Sequence, residues 1–366
     1  MNGLLLVAGR EIRTQVRSKG FVVGLVIMVL LVGAISFAPK LLGGPDSYRV
    51  GVVSSQKLPV WGDTPIEWKD YADEAGARRA VLDGDVDAAL VGGTRVLTDG
   101  EIDDQLGLLL QSANREAQIG SAGVKITPLA MESVGADTRY QKTRSGIAVV
   151  LVIVLFMLII GTPMMVAMGV VEEKGSRIVE ILLTSVRPWQ LLGGKILGLG
   201  AVGLINLVAV LVAGLGGALA SGLAVDFPPG MAGIVAGVVV WFVLGYTFFA
   251  AFAAALGSLV SRQEEVGNVL TPMTMTMMAS YGVAFYSVTE PTSVVATIAS
   301  YVPPFSSMVM PVRSAAAEIP FWQVLVSAGL MVLAVVGVVL LAARIYERAV
   351  LRTGARVRLR DVVTSR

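Results

Sequence analysis

The chain has 366 residues, of which 55% are hydrophobic and 15% are charged, and its mean hydropathy is +0.74. Soluble domains carry about 25% charged residues, so this composition excludes an ordinary soluble protein and predicts an integral membrane protein. The formal net charge is only +2, and the sequence contains neither cysteine nor histidine, which excludes disulfides, thiolate nucleophiles, Cys or His metal sites and histidine acid–base catalysis.

Apolar runs, taken in chain order, predict six membrane-spanning helices. The first long run follows several charged residues and exceeds the apolar core of a signal peptide, so we interpret it as a retained span. The third contains several glycines, which allow close helix packing in lipid. The predicted spans are 21–42, 146–171, 191–220, 231–260, 266–288 and 321–343.

A long polar segment, residues 47–145, separates the first two predicted spans. Its alternating apolar residues and turn signals follow a strand–helix–strand order, which predicts a small α/β domain. The predicted elements are a strand at 48–55, a helix followed by a turn at 83–87 and a strand at 86–91, a strand at 94–98, and a helix at 103–120 with Leu106, Leu109 and Leu110 facing inward.

Lysine and arginine are concentrated before the first span, between the second and third spans, and after the last span. Such residues favour the cytoplasmic side, so both termini are predicted to be cytoplasmic and the α/β domain extracytoplasmic. Basic residues at the end of that domain oppose this orientation, in a long segment where the rule is weak (Lys125, Arg139, Lys142, Arg144). The predicted organisation is 1–46 for the cytoplasmic N terminus and first span, 47–145 for the α/β domain, 146–345 for a five-helix membrane region, and 346–366 for a basic cytoplasmic tail.

Residues 289–320 form a second predicted outer segment. Pro303, Pro304 and Pro311 forbid one continuous helix there. We therefore expect short helices at the membrane interface, with Tyr301, Phe305 and the methionines facing lipid or a partner.

Two glycine-rich motifs in the third span superficially match nucleotide-binding loops. GLGAVG (198–203) has the G-x-G-x-x-G spacing but lies inside an apolar run without a preceding strand. GGKI (193–196) lacks the P-loop spacing, and Lys195 is not followed by Ser or Thr. Helix packing is the better interpretation, and no ATPase site is predicted in this chain.

Residues 172–187 interrupt the apolar sequence between the second and third spans, and we name this segment the elbow. Its first residues, EEKGSR, match a pattern of glutamate-type membrane proteases, but those enzymes also use histidine, which this sequence lacks. Read as a helix, the elbow would place Glu173, Arg177 and Glu180 on one face, at i, i+4 and i+7. Pro188 suits the start of the following helix. The pattern fits either a solvated cap of the second span or a surface that a partner binds.

The elbow and its flanks resemble the signature of ABC type-2 export permeases, and the similarity is closest to the sodium-extrusion (NatB-like) branch. Gly175 departs from the E-K-E start that these permeases often have. The order of one span, an outer α/β loop and five spans, together with SRQEEVGN (261–268) and VPPFSSMVMPVR (302–313), also resembles the family. The matching positions of the signature are Glu173, Lys174, Arg177, Glu180, Leu182, Leu183, Ser185, Pro188, Leu191, Gly194 and Lys195.

The resemblance implies a permease subunit of an ATP-driven exporter. It implies a multi-pass protein of the cell membrane, expected in a bacterial plasma membrane. It implies a homo- or heterodimer that works with a separate cytoplasmic ATP-binding subunit, which uses ATP and Mg²⁺, whereas this chain itself needs no cofactor or metal. The elbow would be the coupling helix that docks onto that subunit. The residues with an implied coupling role are Glu172, Glu173, Lys174, Arg177, Glu180, Arg187, Arg262, Glu264 and Glu265.

The fifth predicted span combines methionines with hydroxyl and amide side chains, and the resemblance implies that it lines the substrate pathway with the second span. Methionine adapts to varied apolar partners, but a packing helix with its hydroxyls bonded to its own backbone explains the pattern equally well. Pro272 predicts a kink. The candidate pathway residues are Asn268, Thr271, Met275, Met278 and Tyr281.

The cargo stays open at this point. No carboxylate lies well inside a predicted span, which weakens the expectation of Na⁺ efflux, and amphiphilic drugs, lipids or peptides remain alternatives. Two other classes of protein compete with a transporter. One is a membrane-anchored sensor or scaffold that binds a ligand through residues 47–145, and the weaker one is an intramembrane enzyme that uses EEKGSR.

Overall fold

The computed structural model describes residues 3–42, 47–53, 57–58, 66–93, 95–99, 104–121, 141–176, 184, 186–221 and 230–349. In chain order its elements are α1 (Gly3–Val16), α2 (Lys19–Leu42), β1 (Tyr48–Val53), β2 (Ile66–Tyr71), α3 (Glu74–Leu82), β3 (Ala88–Val91), β4 (Arg95–Leu97), α4 (Asp104–Ser121), α5 (Gln141–Gly175), α6 (Pro188–Ser221), α7 (Met231–Gly257), a 3-10 turn (Gln263–Glu265), α8 (Val266–Thr289), α9 (Val294–Ala299), α10 (Ser306–Ala316) and α11 (Phe321–Ala349). They divide into two compact units, Met1–Phe37 with Ala136–Arg366, and Ala38–Gly135.

Among the described residues, four helices are long and apolar enough to cross a membrane: α5, α6, α7 and α11. A fifth candidate is the pair α1 and α2, which are bent by 67° at the break between them. Helix α8 has 24 residues, but its Asn, Thr and Ser side chains make it less apolar than the other spans. The chain is thus a mostly helical, multi-pass membrane protein.

The core of the helical unit lies around α5, α7 and α10. The second half of α7 is rich in alanine, and Ala250, Ala251 and Ala254 are fully buried, which lets α5 and α8 approach closely. Helix α10 packs against α5, α7 and α8, and nearly all of its side chains are buried. The prediction of interfacial methionines in this region is therefore wrong, since Met308 and Met310 are buried in the core.

The second unit contains a four-stranded sheet with the order β2-β1-β3-β4, in which β1 pairs in parallel with β2 and β3, and β3 pairs in antiparallel fashion with β4. Helix α3 covers one face through Ala77, Ala80 and Val81, and α4 covers the other through Leu106 and Leu110. The predicted strand, helix and strand correspond to β1, α3 and β3, but β2 lies between β1 and α3 in the chain. The edge strand β2 was not predicted.

Local sequence explains the ends of α3. The side chain of Asp73 accepts a hydrogen bond of 2.8 Å from the backbone N–H of Gly76 and so caps the N terminus of the helix. After the helix, Gly84 has a φ of 75°, which permits the left-handed turn that begins the return to β3. The turn predicted at 83–87 lies here.

Candidate coupling site at the elbow

The two ends of the elbow expose some of the predicted coupling residues and bury others. Glu172 and Arg187 are exposed, whereas Glu173 and Lys174 are 7% and 1% exposed. Arg177 and Glu180 lie outside the described residues, so the predicted charged helical face is not described. Glu173 and Lys174 therefore do not present their charges to a partner, and their contacts are made within this chain.

Glu173 belongs to a network of four charged side chains from three helices. Its carboxylate lies 2.7 Å from the guanidinium of Arg10 and 3.2 Å from the ammonium of Lys195. Glu11 lies 2.8 Å from Arg10 and 3.2 Å from Lys195, so the two positive and two negative charges compensate one another. The Lys195 side chain is only 3% exposed, and a buried charge of this kind is tolerated because it is paired. The network joins α1, the end of α5 and the first turns of α6.

Lys174 points to a different set of helices. Its ammonium donates hydrogen bonds of 2.6 Å to the carbonyl of Ser258 and 2.9 Å to the carbonyl of Ala349. These carbonyls follow the last turn of α7 and lie at the end of α11, where helices leave backbone acceptors unpaired. The two adjacent residues Glu173 and Lys174 thus attach the end of α5 to four other helices.

Glycines on α6 create the space in which α1 lies. A Cβ added to Gly194 would lie 2.7 Å from the carbonyl oxygen of Leu4, and one added to Gly198 would lie 2.8 Å from that of Ala8. The small-xxx-small spacing of these glycines is typical of close helix contacts in membranes. A Cβ at Gly169 would lie 2.8 Å from the ammonium of Lys195, so this glycine makes room for the buried charge.

The second predicted coupling segment lies beside the elbow. Arg262 and Glu264 are exposed, and Glu265 is half-buried at the end of the 3-10 turn. A Cβ added to Gly175, the last residue of α5, would lie 2.9 Å from the carbonyl oxygen of Ser261. The two loops that the family resemblance singles out are therefore neighbours at one end of the helical unit.

The candidate pathway residues follow one side of α8. Asn268, Thr271, Met275 and Met278 are exposed, and Tyr281 is half-buried with its ring centroid 4.5 Å from that of Phe156 on α5. The intervals of three and four residues place these side chains on one helical stripe. The hydroxyl of Thr271 donates a hydrogen bond of 3.2 Å to the carbonyl of Gly267. This hydroxyl is therefore bonded to the backbone of its own helix. Helix α8 continues through Pro272.

Comparison with known proteins identifies the family. The sequence profile of the ABC-2 family transporter proteins matches residues 19–344. The chain belongs to this family. It is 27% identical to the uncharacterized protein YhaP of Bacillus subtilis (strain 168), over 97% of this chain and 96% of that protein. It is 21% identical to the uncharacterized protein MJ1024 of Methanocaldococcus jannaschii, over 98% and 95% of the two chains. No solved structure matches this chain.

Membership of the ABC-2 family fixes the general role of the chain. ABC-2 proteins of this kind are the membrane components of ABC transporters, are generally not catalytic themselves, and normally pair with a cytoplasmic ATP-binding subunit. In the described part of EEKGSR, residues 172–176, Glu172 is exposed while Glu173 is buried in ion pairs.

Sequence reasoning missed one buried polar centre in this ABC-2 protein. Arg313 of α10 is only 2% exposed. Its guanidinium donates hydrogen bonds to the carbonyl of Pro291 (2.7 Å), the hydroxyl of Ser300 (2.6 Å) and the hydroxyl of Thr297 (3.0 Å). Burial lowers the pKa of its guanidinium from the usual range. Ser327 of α11 donates to the carbonyl of Ser300, so this centre connects α9, α10 and α11. The sequence signals were VPPFSSMVMPVR (302–313), which ends at Arg313, and the Ser and Thr residues that precede it.

Proposed function

We propose that this chain is the permease subunit of an ATP-driven ABC exporter, with the elbow as its contact for a cytoplasmic ATP-binding subunit. Two permease subunits, identical or related, pair across the substrate pathway, and two ATP-binding subunits bind their cytoplasmic sides. The partner subunit uses ATP and Mg²⁺. This chain forms the substrate pathway, and its helices change position when the partner moves the elbow.

The proposed topology has six spans, with α1 at the cytoplasmic surface, α2 as the first span and α8 as the fifth. Both termini are cytoplasmic and the α/β unit is extracytoplasmic, in a bacterial plasma membrane. The excess of Lys and Arg near the elbow and at the chain ends supports this orientation. The length of α8 and its packing against α5 and α10 support its inclusion as a span despite its lower apolarity.

The attachment of Glu173 and Lys174 to four helices is the observation that carries the proposal. A force applied to the exposed part of the elbow reaches α5 directly, α1 and α6 through Glu173, and α7 and α11 through Lys174. Buried, geometrically defined contacts of this kind move as one body, because breaking one of them leaves an unpaired charge in the interior. We therefore assign Glu173 and Lys174 to transmission within the permease, and Glu172, Arg177, Glu180 and Arg187 to contact with the partner.

The exposed stripe of α8 is the proposed wall of the pathway. Its methionines can adapt to different apolar surfaces, and Asn268 supplies a polar group near one end. This composition favours an amphiphilic drug, lipid or peptide as the cargo. Efflux of Na⁺, as the similarity to sodium-extrusion permeases suggests, would have to use carbonyl and hydroxyl oxygens.

The proposal predicts an ABC ATP-binding protein encoded beside this chain and is tested by co-expression of the two. The partner should co-purify with the permease, and Arg187→Ala should lower permease-dependent ATP hydrolysis, because the exposed guanidinium no longer binds the partner. Arg95→Ala, in the α/β unit, removes another exposed arginine and should leave hydrolysis unchanged. Purified permease that binds no ATP-binding protein, or hydrolysis that is unaffected by Arg187→Ala together with Arg177→Ala and Glu180→Ala, would contradict the proposal.

A groove in the α/β unit favours a second candidate function, a sensor that binds a ligand through this unit. The groove has a volume of about 290 Å³ and lies between β3, β4 and α4. Leu90 and Leu110 form apolar lining, and Thr98, Gln111 and Asn114 supply polar groups. Such a sensor would not need an ATP-binding partner, so the co-purification experiment separates the two functions.

A further inference from the structure

The outward side of α1 carries apolar residues at one end and basic residues at the other. Leu5 and Leu6, near the N terminus, are 59% and 53% exposed. Arg13 is exposed near the C-terminal end of α1, Arg17 is exposed directly after it, and Lys19 is exposed at the start of α2. The opposite side of α1 packs against Gly194 and Gly198 of α6, and we call this surface of α6 the glycine groove. The exposed residues are therefore not needed to attach α1 to its neighbour.

The start of α2 indicates the depth of the basic residues in the bilayer. Val22 and Val23 are 50% and 56% exposed, so the apolar surface of α2 begins within four residues of Lys19. The bend of 67° between the two helices directs α1 away from the axis of α2. If α2 crosses the bilayer, α1 runs along the surface, with Arg13, Arg17 and Lys19 at the level of the headgroups.

Trp189 provides an independent marker of the same level. It is 46% exposed at the start of α6, where tryptophan is typical of the boundary between lipid and water. The N terminus of α1 is close to it, because a Cβ added to Gly3 would lie 2.8 Å from the side chain of Val186. The exposed Leu5 and Leu6 are thus in the part of α1 that lies near this tryptophan-marked end of α6.

We propose that α1 and its junction with α2 form a binding surface for anionic phospholipid headgroups, made by Arg13, Arg17 and Lys19 and anchored by Leu5 and Leu6. Among the described residues at this surface, Glu11 is the nearest acidic side chain in sequence, and its charge is already paired with Arg10 and Lys195. The three outward cations are therefore available for phosphate groups. Because Arg10 and Glu11 hold α1 to the elbow network, the charge of the membrane surface would influence the position of the elbow.

Lipid selectivity tests the binding surface directly. The full chain is reconstituted in phosphatidylcholine bilayers that contain a trace of spin-labelled phosphatidylglycerol or spin-labelled phosphatidylcholine, and the protein-associated fraction of each is measured by electron paramagnetic resonance. We expect a preference for phosphatidylglycerol that weakens in high salt, because salt screens surface charges. Each basic residue near an anionic surface strengthens the binding of that surface by a factor of about five. The variant Arg13→Gln/Arg17→Gln/Lys19→Gln should therefore lower the preference for phosphatidylglycerol by at least about five-fold.

The matched control is Arg78→Gln/Arg79→Gln/Arg115→Gln, which removes three exposed cations from the α/β unit and should leave the preference unchanged. An α1 triple variant that keeps the full preference for phosphatidylglycerol would overturn the proposal, and so would equal loss in the control.

The depth of α1 provides the second measurement. Because the sequence has no cysteine, Leu6→Cys can carry a single nitroxide. The label should be relaxed more strongly by oxygen than by a water-soluble nickel chelate, whereas a label at Glu172→Cys should show the reverse. A Leu6 label as accessible to the nickel chelate as the Glu172 label would overturn the proposal. Both measurements omit the ATP-binding subunit, so their outcome is independent of the proposed transport function.

Discussion

The ammonium of Lys195 lies 3.2 Å from the carboxylate of Glu173, and this contact closes the elbow at its base by joining the end of α5 to the start of α6. The two residues are 22 positions apart, and most of the elbow lies between them. Arg10 and Glu11 complete the charges around them. The elbow is therefore attached at its base to α1 and α6.

Lys195→Met should destabilise the permease, because it removes the buried cation that Glu173 and Glu11 share and leaves Arg10 to pair with both carboxylates. Loss of one partner from a buried pair costs about 3–5 kcal/mol, and replacement of the charges on both sides costs less. The free energy of unfolding in detergent should therefore fall less for Glu173→Gln/Lys195→Met than the sum of the two single variants. Strict additivity of the two losses would show that these side chains are not coupled.

Gly194→Ala should displace α1 from α6, because the new methyl group would overlap the backbone of Leu4. We expect a lower melting temperature and lower permease-dependent ATP hydrolysis, since the ion pairs of Arg10 and Glu11 depend on this approach. Gly216→Ala is the matched control in the same helix, where a Cβ would meet open space. If Gly194→Ala and Gly216→Ala had equal effects, the close contact between α1 and Gly194 would not be what holds α1 in place.

Lys174→Met should loosen the ends of α7 and α11 while leaving α1 in place. The carbonyls of Ser258 and Ala349 lose their donor, and an unpaired buried polar group costs about 1–3 kcal/mol. Hydrogen exchange should accelerate in the last turns of α7 and α11 and remain unchanged in α1. Arg344→Met, at an exposed position of α11, is the control and should leave both helix ends protected. Faster exchange in α1 alone would contradict the assignment.

Cysteine accessibility distinguishes a pathway from a lipid-facing surface on α8. Met275→Cys and Met278→Cys lie on the exposed stripe, whereas Met277→Cys lies on the buried side of the same helix. A charged thiol reagent should modify the first two and inhibit transport by the assembled complex, because a pathway contains water. It should not modify the third. Failure of the reagent to reach either exposed position in the complex would assign the stripe to lipid or to a dry dimer contact.

Much of the fold could be predicted because apolar length and strand alternation are local properties. The long apolar helices and β1, β3 and β4 lie close to their predicted positions. Strand β2 was missed because its sequence, IEWKDY, is mostly charged and polar, and its position at the edge of the sheet leaves those side chains exposed. A strand of this kind becomes regular through pairing with β1, which is a tertiary contact.

The candidate site was less predictable for a related reason. The sequence identifies Glu173 and Lys174 as charged residues of the elbow, and charged residues are usually exposed. Their burial depends on Arg10, Glu11, Lys195 and two helix ends that are distant in the chain. The spacing of Gly194 and Gly198 was the available signal, because two small residues one turn apart on an apolar helix indicate a closely packed neighbour.

Cross-linking from the elbow to the ATP-binding subunit tests the central claim most directly. A photoreactive group is attached to a single cysteine at Arg187, at Glu172 or, as a control, at Glu318, all of which are exposed positions in a chain without native cysteine. The account predicts cross-links to the ATP-binding subunit from Arg187 and Glu172, and none from Glu318. Cross-links from Glu318 alone, or labelling of Arg187→Cys by an impermeant reagent added outside intact cells, would contradict it.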